Sequence, residues 1–241
     1  MIFLYKHFAE IYERLNVSAN YSSRANYVLS LFEKFDKKPT LLLDLCCGTG
    51  SFTKEFHNNK IDCIGVDISP DMLNIAKEKS PALFICQEAE NLELYGTVDG
   101  AVCMLDSVNH ITNKRNLKKA FSKVHLFLEP ERLFIFDINT PYKHKEILAN
   151  NAFNFDEEDF FAAWQNEKEK NGTRIYIDIF KKSGEGYTRF SEEFFERSYS
   201  VKEIKEILKE TGFKLEGVFD DMSLSGPKQK SQRLYFVARR K

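Results

Sequence analysis

Four carboxylates stand at the ends of four successive apolar runs: Asp44 in LLLDLCCGTG, Asp67 in IDCIGVD, Glu88 in ICQEAENL and Asp106 in MLDSVNHI. Each run is short and reads as a buried strand, so each acid falls where a strand gives way to a loop. Gly48 and Gly50 follow the first acid. They let backbone approach a ligand closely, and the helix that opens after them offers free N–H groups to a carboxylate or phosphate. In a parallel α/β sheet, ligands bind beyond the C-terminal strand ends, where strand order reverses. The chemistry is therefore that of a bound ligand that meets several acids at once.

The spacing separates two such ligands. A dinucleotide fingerprint needs G-x-G-x-x-G, whereas here Cys46, Gly48 and Gly50 make a G-x-G-x-G spacing with its first glycine replaced, and Thr53 stands where the third dinucleotide glycine would be. Asp44, just before the turn, would oppose a pyrophosphate. S-adenosylmethionine carries a sulfonium, an ammonium and a carboxylate and no phosphate, and suits this loop better. Asp67, ending the second strand, is suited to accept hydrogen bonds from both ribose hydroxyls. Glu88 is within reach of an adenine amino group, and the site reads as adenosyl-binding.

These loops need a framework that brings strand ends together. Apolar residues at helical spacing predict a helix over 24–35, and 41–45 is a buried strand. Strands are expected at 61–67, 82–86, 98–105 and 132–138, with a single helical stripe between 112 and 128. Ser69-Pro70-Asp71 starts a helix, with a capping serine, a proline at the first position and a carboxylate at the positive dipole end. This β-α-β alternation predicts a parallel sheet covered on both faces. The pattern changes near 150. Residues 153–199 are rich in aromatics and charge, and TRIYIDIF alternates with period two, so an antiparallel insertion of about three strands is expected. Ser200 and Glu203 form a capping box that opens another helix, and strands at 213–219 and 233–239 close the domain.

With those elements in place, the chain resembles the class I S-adenosylmethionine-dependent methyltransferases over most of its length. LLLDLCCGTG is similar to their first motif, GVDIS to the second, CQEAENLEL to the third and VDGAVCMLDSVNHI to the fourth. GFKLEGVF and RLYFVARRK resemble their closing antiparallel hairpin. The resemblance implies a Rossmann-like seven-stranded sheet with helices on both faces, S-adenosyl-L-methionine as cofactor and methyl transfer as the reaction. It also implies roles. Asp44 and Gly48 would hold the methionine end, Asp67 the ribose and Glu88 the adenine amino group. The Ala89 backbone would meet the adenine ring, with Ile68 and Met72 packed on it, and the Leu105 carbonyl would face the ammonium. Tyr12 and Tyr21 resemble aromatics that cover the cofactor in the small-molecule branch. Cys46 belongs to the same loop but departs from the family's glycine.

One domain is expected over 1–241. It comprises an N-terminal helical cap at 1–38, a cofactor-binding core at 39–152, a substrate-lid insertion at 153–199 and a closing helix and hairpin at 200–241. The insertion leaves from the strand-end edge and is expected to wall off the acceptor without touching the cofactor loops. Similar insertions occur in relatives acting on small amines, amino-sugar N-methyltransferases included. The resemblance thus implies a small polar acceptor, an amine or a hydroxyl. An RNA or protein methyltransferase, or a cofactor-binding regulatory module without transfer activity, stays open beside it. His110, Tyr12, Tyr21 and Tyr142 are the catalytic candidates, because a base is needed only where the nucleophile cannot shed its own proton.

Composition narrows the partners. Lys and Arg total 35 against 36 Asp and Glu, which leaves no electrostatic reason to expect nucleic acid or an anionic membrane. No Asn/Asp-Pro-Pro-Tyr/Phe follows the fourth strand, as it would in DNA amine methyltransferases. The five cysteines are odd in number and contain no CxxC, so they read as free thiols in a reducing cytoplasm. No metal is expected: the cysteines are not spaced for zinc, and the adjacent Asp-Asn of the catechol-type enzymes is missing. The apolar start MIFLY is broken at once by Lys6, so neither a signal peptide nor a membrane span is expected. Nothing in the residues specifies an oligomeric state.

Overall fold

The computed structural model describes residues 6–16 and 19–241; the apolar start at 1–5 lies outside them. Helices α1 (Lys6–Leu15) and α2 (Tyr21–Phe35) precede a β-α series: β1 (Leu41–Leu45), α3 (Ser51–Asn58), β2 (Asp62–Asp67), α4 (Pro70–Lys79), β3 (Leu83–Cys86), β4 (Gly100–Cys103), α5 (Ser107–His110), α6 (Lys114–Phe127) and β5 (Leu133–Asn139). A four-stranded excursion follows, with β6 (Ala152–Asp156), β7 (Phe160–Glu169), β8 (Gly172–Ser183) and β9 (Gly186–Arg197). The chain ends with α7 (Val201–Glu210), β10 (Phe213–Asp220) and β11 (Arg233–Arg240).

The main sheet has seven strands in the order β10-β11-β5-β4-β1-β2-β3. Strands β1 to β5 run parallel, and β11 enters antiparallel between β5 and β10. Successive side chains of a strand point to opposite faces, so this sheet needs a core on each side. Leu42, Val102, Ile135 and Val237 meet Val28 and Phe32 of α2 and Phe52 and Phe56 of α3 on one face. Leu43, Ala101, Phe134 and Phe236 meet Phe121 and Val124 of α6 and Ile204 and Leu208 of α7 on the other. The order reverses between β1 and β4, which makes the loops after those strands the natural walls of a cleft.

Several local expectations hold. Ser69 caps α4 by accepting the Met72 amide, with Pro70 at the first position. Ser200 and Glu203 form the full capping box on α7. Others need correction. The insertion has four strands where about three were expected, because the acidic stretch Asp156–Phe160 carries no glycine or proline to announce a hairpin turn. The fourth strand stops at Cys103, since Leu105 (φ 51°) and Asp106 (φ 53°) take left-handed backbone that no strand can continue. The stripe at 112–128 starts only at Lys114, where the Asn113 side chain caps α6, and α5 precedes it as a separate short helix.

A third apolar cluster lies away from the main sheet. Phe8, Ile11 and Leu15 of α1 pack with Phe160, Ala162, Ile175, Ile177 and Ile179 of the insertion, and Met72 of α4 joins them. The insertion and α1 therefore share one core.

Candidate active site

The glycine turn is held from three sides. Cys47 N–H donates to the Val66 carbonyl (3.0 Å) and Gly50 N–H to the Cys47 carbonyl (3.0 Å). Gly48 N–H donates to Asp67 Oδ2 (2.8 Å). Cys46, Gly48 and Gly50 all have positive φ, at 57°, 53° and 72°. Cys46 thus adopts the conformation of the glycine it replaces, at a cost of roughly 1–2 kcal/mol. At Gly50 a side chain is barred outright, since a Cβ would stand 2.7 Å from that of Ala76.

Asp67 is the hub of this turn. Its second oxygen, Oδ1, accepts the Ser69 amide at 2.9 Å. Burial pushes its pKa up, and the two backbone donors work against that. Each oxygen keeps a further lone pair for a ligand.

A cavity of about 320 Å³ opens beside this hub, at the C-terminal ends of the parallel strands. It brings together nine residues expected there from the sequence: Tyr12, Cys46, Gly48, Asp67, Ile68, Met72, Glu88, Ala89 and Leu105. His110 lines it too. Asp44 and Tyr21 do not. Asp44 is 1% exposed and accepts a hydrogen bond from Thr53 Oγ1 (2.6 Å), so its carboxyl points into the protein, and Leu45 takes its place on the wall. Tyr21 packs edge-on against Phe52 (5.3 Å between centroids), and its hydroxyl is buried with no hydrogen-bond partner among the described residues. Tyr142 is half-buried at the start of a π-helical turn (Lys143–Leu148) and lies outside the cavity lining.

A methyltransferase-domain family model matches residues 42–131, the stretch that builds this turn and cavity. The chain is 31% identical over 245 residues to the "Putative methyltransferase YqeM" of Bacillus subtilis (strain 168), covering 98% of this chain and 97% of that one. It superposes with a TM-score of 0.86 on the crystal structure of an S-adenosylmethionine-dependent methyltransferase from Clostridium acetobutylicum ATCC 824, at 32% identity and 98% coverage of both. The chain belongs to the class I S-adenosylmethionine-dependent methyltransferases. Over 132 residues, 54% of this chain and 52% of the relative, the enzyme is also 24% identical to the Streptomyces fradiae dTDP-3-amino-3,6-dideoxy-alpha-D-glucopyranose N,N-dimethyltransferase.

Beyond the glycine turn the enzyme gathers a polar cluster around Asp106, which joins Asp137 and Asn139 of β5 to Arg233 of β11. Asp137 accepts the Leu105 (2.9 Å) and Asp106 (2.7 Å) amides, holding the left-handed pair after β4. Arg233 of β11 donates to Asp137 and, through Nη2, to Asp106 Oδ1 (2.6 Å). Asn139 Nδ2 donates to Asp106 Oδ2 (2.8 Å), and Lys143 Nζ donates to Asn139 Oδ1 (2.9 Å). Burial pushes the Asp106 pKa up, but the Arg233 and Lys143 charges outweigh it and hold the carboxyl well below its ordinary range. Glu196 comes from β9, far along the chain, and its pKa is raised by burial and by the Asp106 charge.

Asp106, His110 and Glu196 bring one potential ligand atom each within 4.8 Å of one another. Both Asp106 oxygens already accept from Arg233 and Asn139, and two cationic side chains stand beside them. A metal ion would have to compete with charges built into the chain. No helix among the described residues is long and apolar enough to cross a membrane.

Proposed function

We propose that the enzyme methylates a small polar acceptor, an amine first and a hydroxyl second, inside the cavity beside Asp67 and His110. The cofactor supplies a methyl group on a sulfonium that is already a good leaving group. The protein's task is then to align the nucleophile, exclude water and accept a proton where one must leave. In this reading Asp67 takes the ribose hydroxyls with its remaining lone pairs, and Glu88 the adenine amino group beside the Ala89 backbone. Ile68 and Met72 pack on the adenine, and Gly48, Cys46 and Leu105 surround the methionine end. Asp44 braces the turn from behind through its bond with Thr53. His110 is the candidate base, and Tyr12 covers the cofactor.

The observation that carries the reading is a single cavity combining the Asp67 hub with His110 and covered by Phe8 and Tyr12 of α1, a helix that the insertion backs. A cavity of about 320 Å³ covered on one side by α1 suits a small acceptor better than a polymer, which needs a long groove. The amino-sugar acceptor named for the S. fradiae relative supports the amine. The test is release of S-adenosylhomocysteine with a panel of small amines and amino sugars, their hydroxyl congeners, and RNA. Turnover with an amine is the expected result. Binding of S-adenosylhomocysteine without turnover on any member would point to a regulatory module, and turnover on RNA alone would overturn the small-acceptor reading.

A further inference from the structure

We propose that Glu196, on the last strand of the insertion, positions the His110 ring by accepting its Nε2–H, so that Nδ1 is the ring's basic atom. The inference rests on the reading that the acceptor enters beside His110.

Strand β9 grips this ring on two sides. The Phe194 ring lies against its face, 5.3 Å between centroids and 32° between planes. Glu196 Oε1 lies 3.7 Å from Nε2 at its edge. Residues two apart on a strand share a face, so one face of β9 supplies both contacts. The helix that carries the histidine is fixed to the same strand. Asn109 Nδ2 donates to the Arg197 carbonyl (2.7 Å), and Asn109 Oδ1 accepts the Asn139 amide (2.9 Å).

Glu196 is short of donors. It is 4% exposed, and the hydrogen bond it accepts among the described residues is a long one, from Asn139 Nδ2 at 3.4 Å. That same N–H group serves Asp106 at 2.8 Å. Arg233 is spent on Asp106 and Asp137, and Lys143 on Asn139. A buried carboxylate left this way is costly, and the nearest donor able to relieve it is His110 Nε2–H. At 3.7 Å the contact is an ion-pair distance and not yet a hydrogen bond. Contacts of this kind commonly tighten when a site fills.

The consequence concerns proton flow. With Nε2–H committed to Glu196, the proton leaving the acceptor ends on Nδ1, and the electron pair that held it stays on the acceptor atom. The Glu196 charge then steadies the imidazolium, as a buried carboxylate does behind a catalytic histidine. The insertion would contribute a positioning residue.

The test is 15N NMR of histidine-labelled, full-length enzyme loaded with S-adenosylhomocysteine, at a pH where the ring is neutral. Wild type should show the Nε2–H tautomer. Glu196→Ala should give a mixture, and Glu196→Gln, whose amide oxygen accepts the same hydrogen, should restore it. In the Gln variant the Nε2 proton signal should still move upfield by more than about 0.5 ppm, because a neutral acceptor polarises it less. An Nδ1–H tautomer in wild type, or an unmoved Nε2 proton in Glu196→Gln, would overturn the proposal. The expected tautomers without turnover on any amine or hydroxyl would instead sink the proposed function and leave the Glu196 contact standing.

Discussion

Asp44 is an acid whose value lies behind the site it was expected to line. Burial, with the nearby Asp67 charge adding to it, pushes its pKa up to about 7, against the Thr53 bond that lowers it. The unfolded carboxyl titrates near 4, so between about pH 4 and 7 the folded protein holds a proton that the unfolded chain has lost. Stability from this group therefore falls as pH rises through that window and is level above it. Asp44→Asn keeps an acceptor for Thr53 and abolishes the titration. Denaturant midpoints should be similar for the two proteins near pH 4 and higher for the variant near pH 8; parallel pH profiles would place the effect elsewhere. Asp67 calls for a different measurement. An asparagine there must turn an NH₂ toward either Gly48 N–H or Ser69 N–H, and it loses charge-assisted bonds of roughly 1.5–3 kcal/mol each. Asp67→Asn should weaken S-adenosylhomocysteine binding by at least about tenfold by calorimetry, with the circular dichroism spectrum kept. An unchanged affinity would remove Asp67 from the ribose site.

Helix α1 is the element that joins the two halves of the site. Toward the glycine turn, Glu13 accepts from Thr49 Oγ1 (2.8 Å), from Ser51 and from Lys79. Burial raises the Glu13 pKa, but these three donors outweigh it, so the carboxylate is charged at neutral pH. Toward the insertion, Arg14 meets Glu157 (3.0 Å) and Asp159 (2.7 Å), and Lys181 meets Glu10 (2.5 Å). Those outer pairs are exposed and contribute little. The apolar face of Phe8, Ile11 and Leu15 holds α1 to the insertion, and the half-buried Glu13 bonds hold it to the turn. Phe8 and Tyr12 then roof the cavity. Glu13→Ala should leave the fold intact and speed S-adenosylhomocysteine release several-fold in a displacement experiment. An unaltered release rate would mean that α1 covers the cavity without gating it.

For the whole molecule, the shared core changes what removing the insertion would do. From the sequence, residues 153–199 look separable from the cofactor loops. In the fold they bury the apolar face of α1, and Asn109 and the Ile111 carbonyl are tied to Arg197 and Tyr199 at their exit. Replacing 153–199 with a short Gly/Ser linker should therefore weaken cofactor binding as well as abolish transfer, because Phe8 and Tyr12 lose their support. The seven-stranded sheet has its own two cores and should still melt cooperatively. A linker variant that binds S-adenosylhomocysteine like wild type would show that the insertion serves the acceptor alone.

What could be read without coordinates rests on interactions between near neighbours in the chain. The Ser69 cap, the Ser200–Glu203 box, the alternating buried strands and the acid that ends β2 each announce themselves within a few residues. From them follow the sheet and the glycine turn with its acids, while the family resemblance supplied Tyr12, Ile68, Met72, Ala89 and Leu105 on the cavity wall. The rest depends on pairings that no local pattern encodes. Glu196 sits in SEEFFERSY, where its charge looks like that of its neighbours, and only the docking of β9 on α5 buries it beside His110. Arg233 reaches Asp106 across 127 positions. Asp44 was legible as a strand-end acid, but the direction of its side chain was set by Thr53 on the packed helix behind it. A strand end determines where an acid stands; the alternation of faces and the partner across the core determine which way it points.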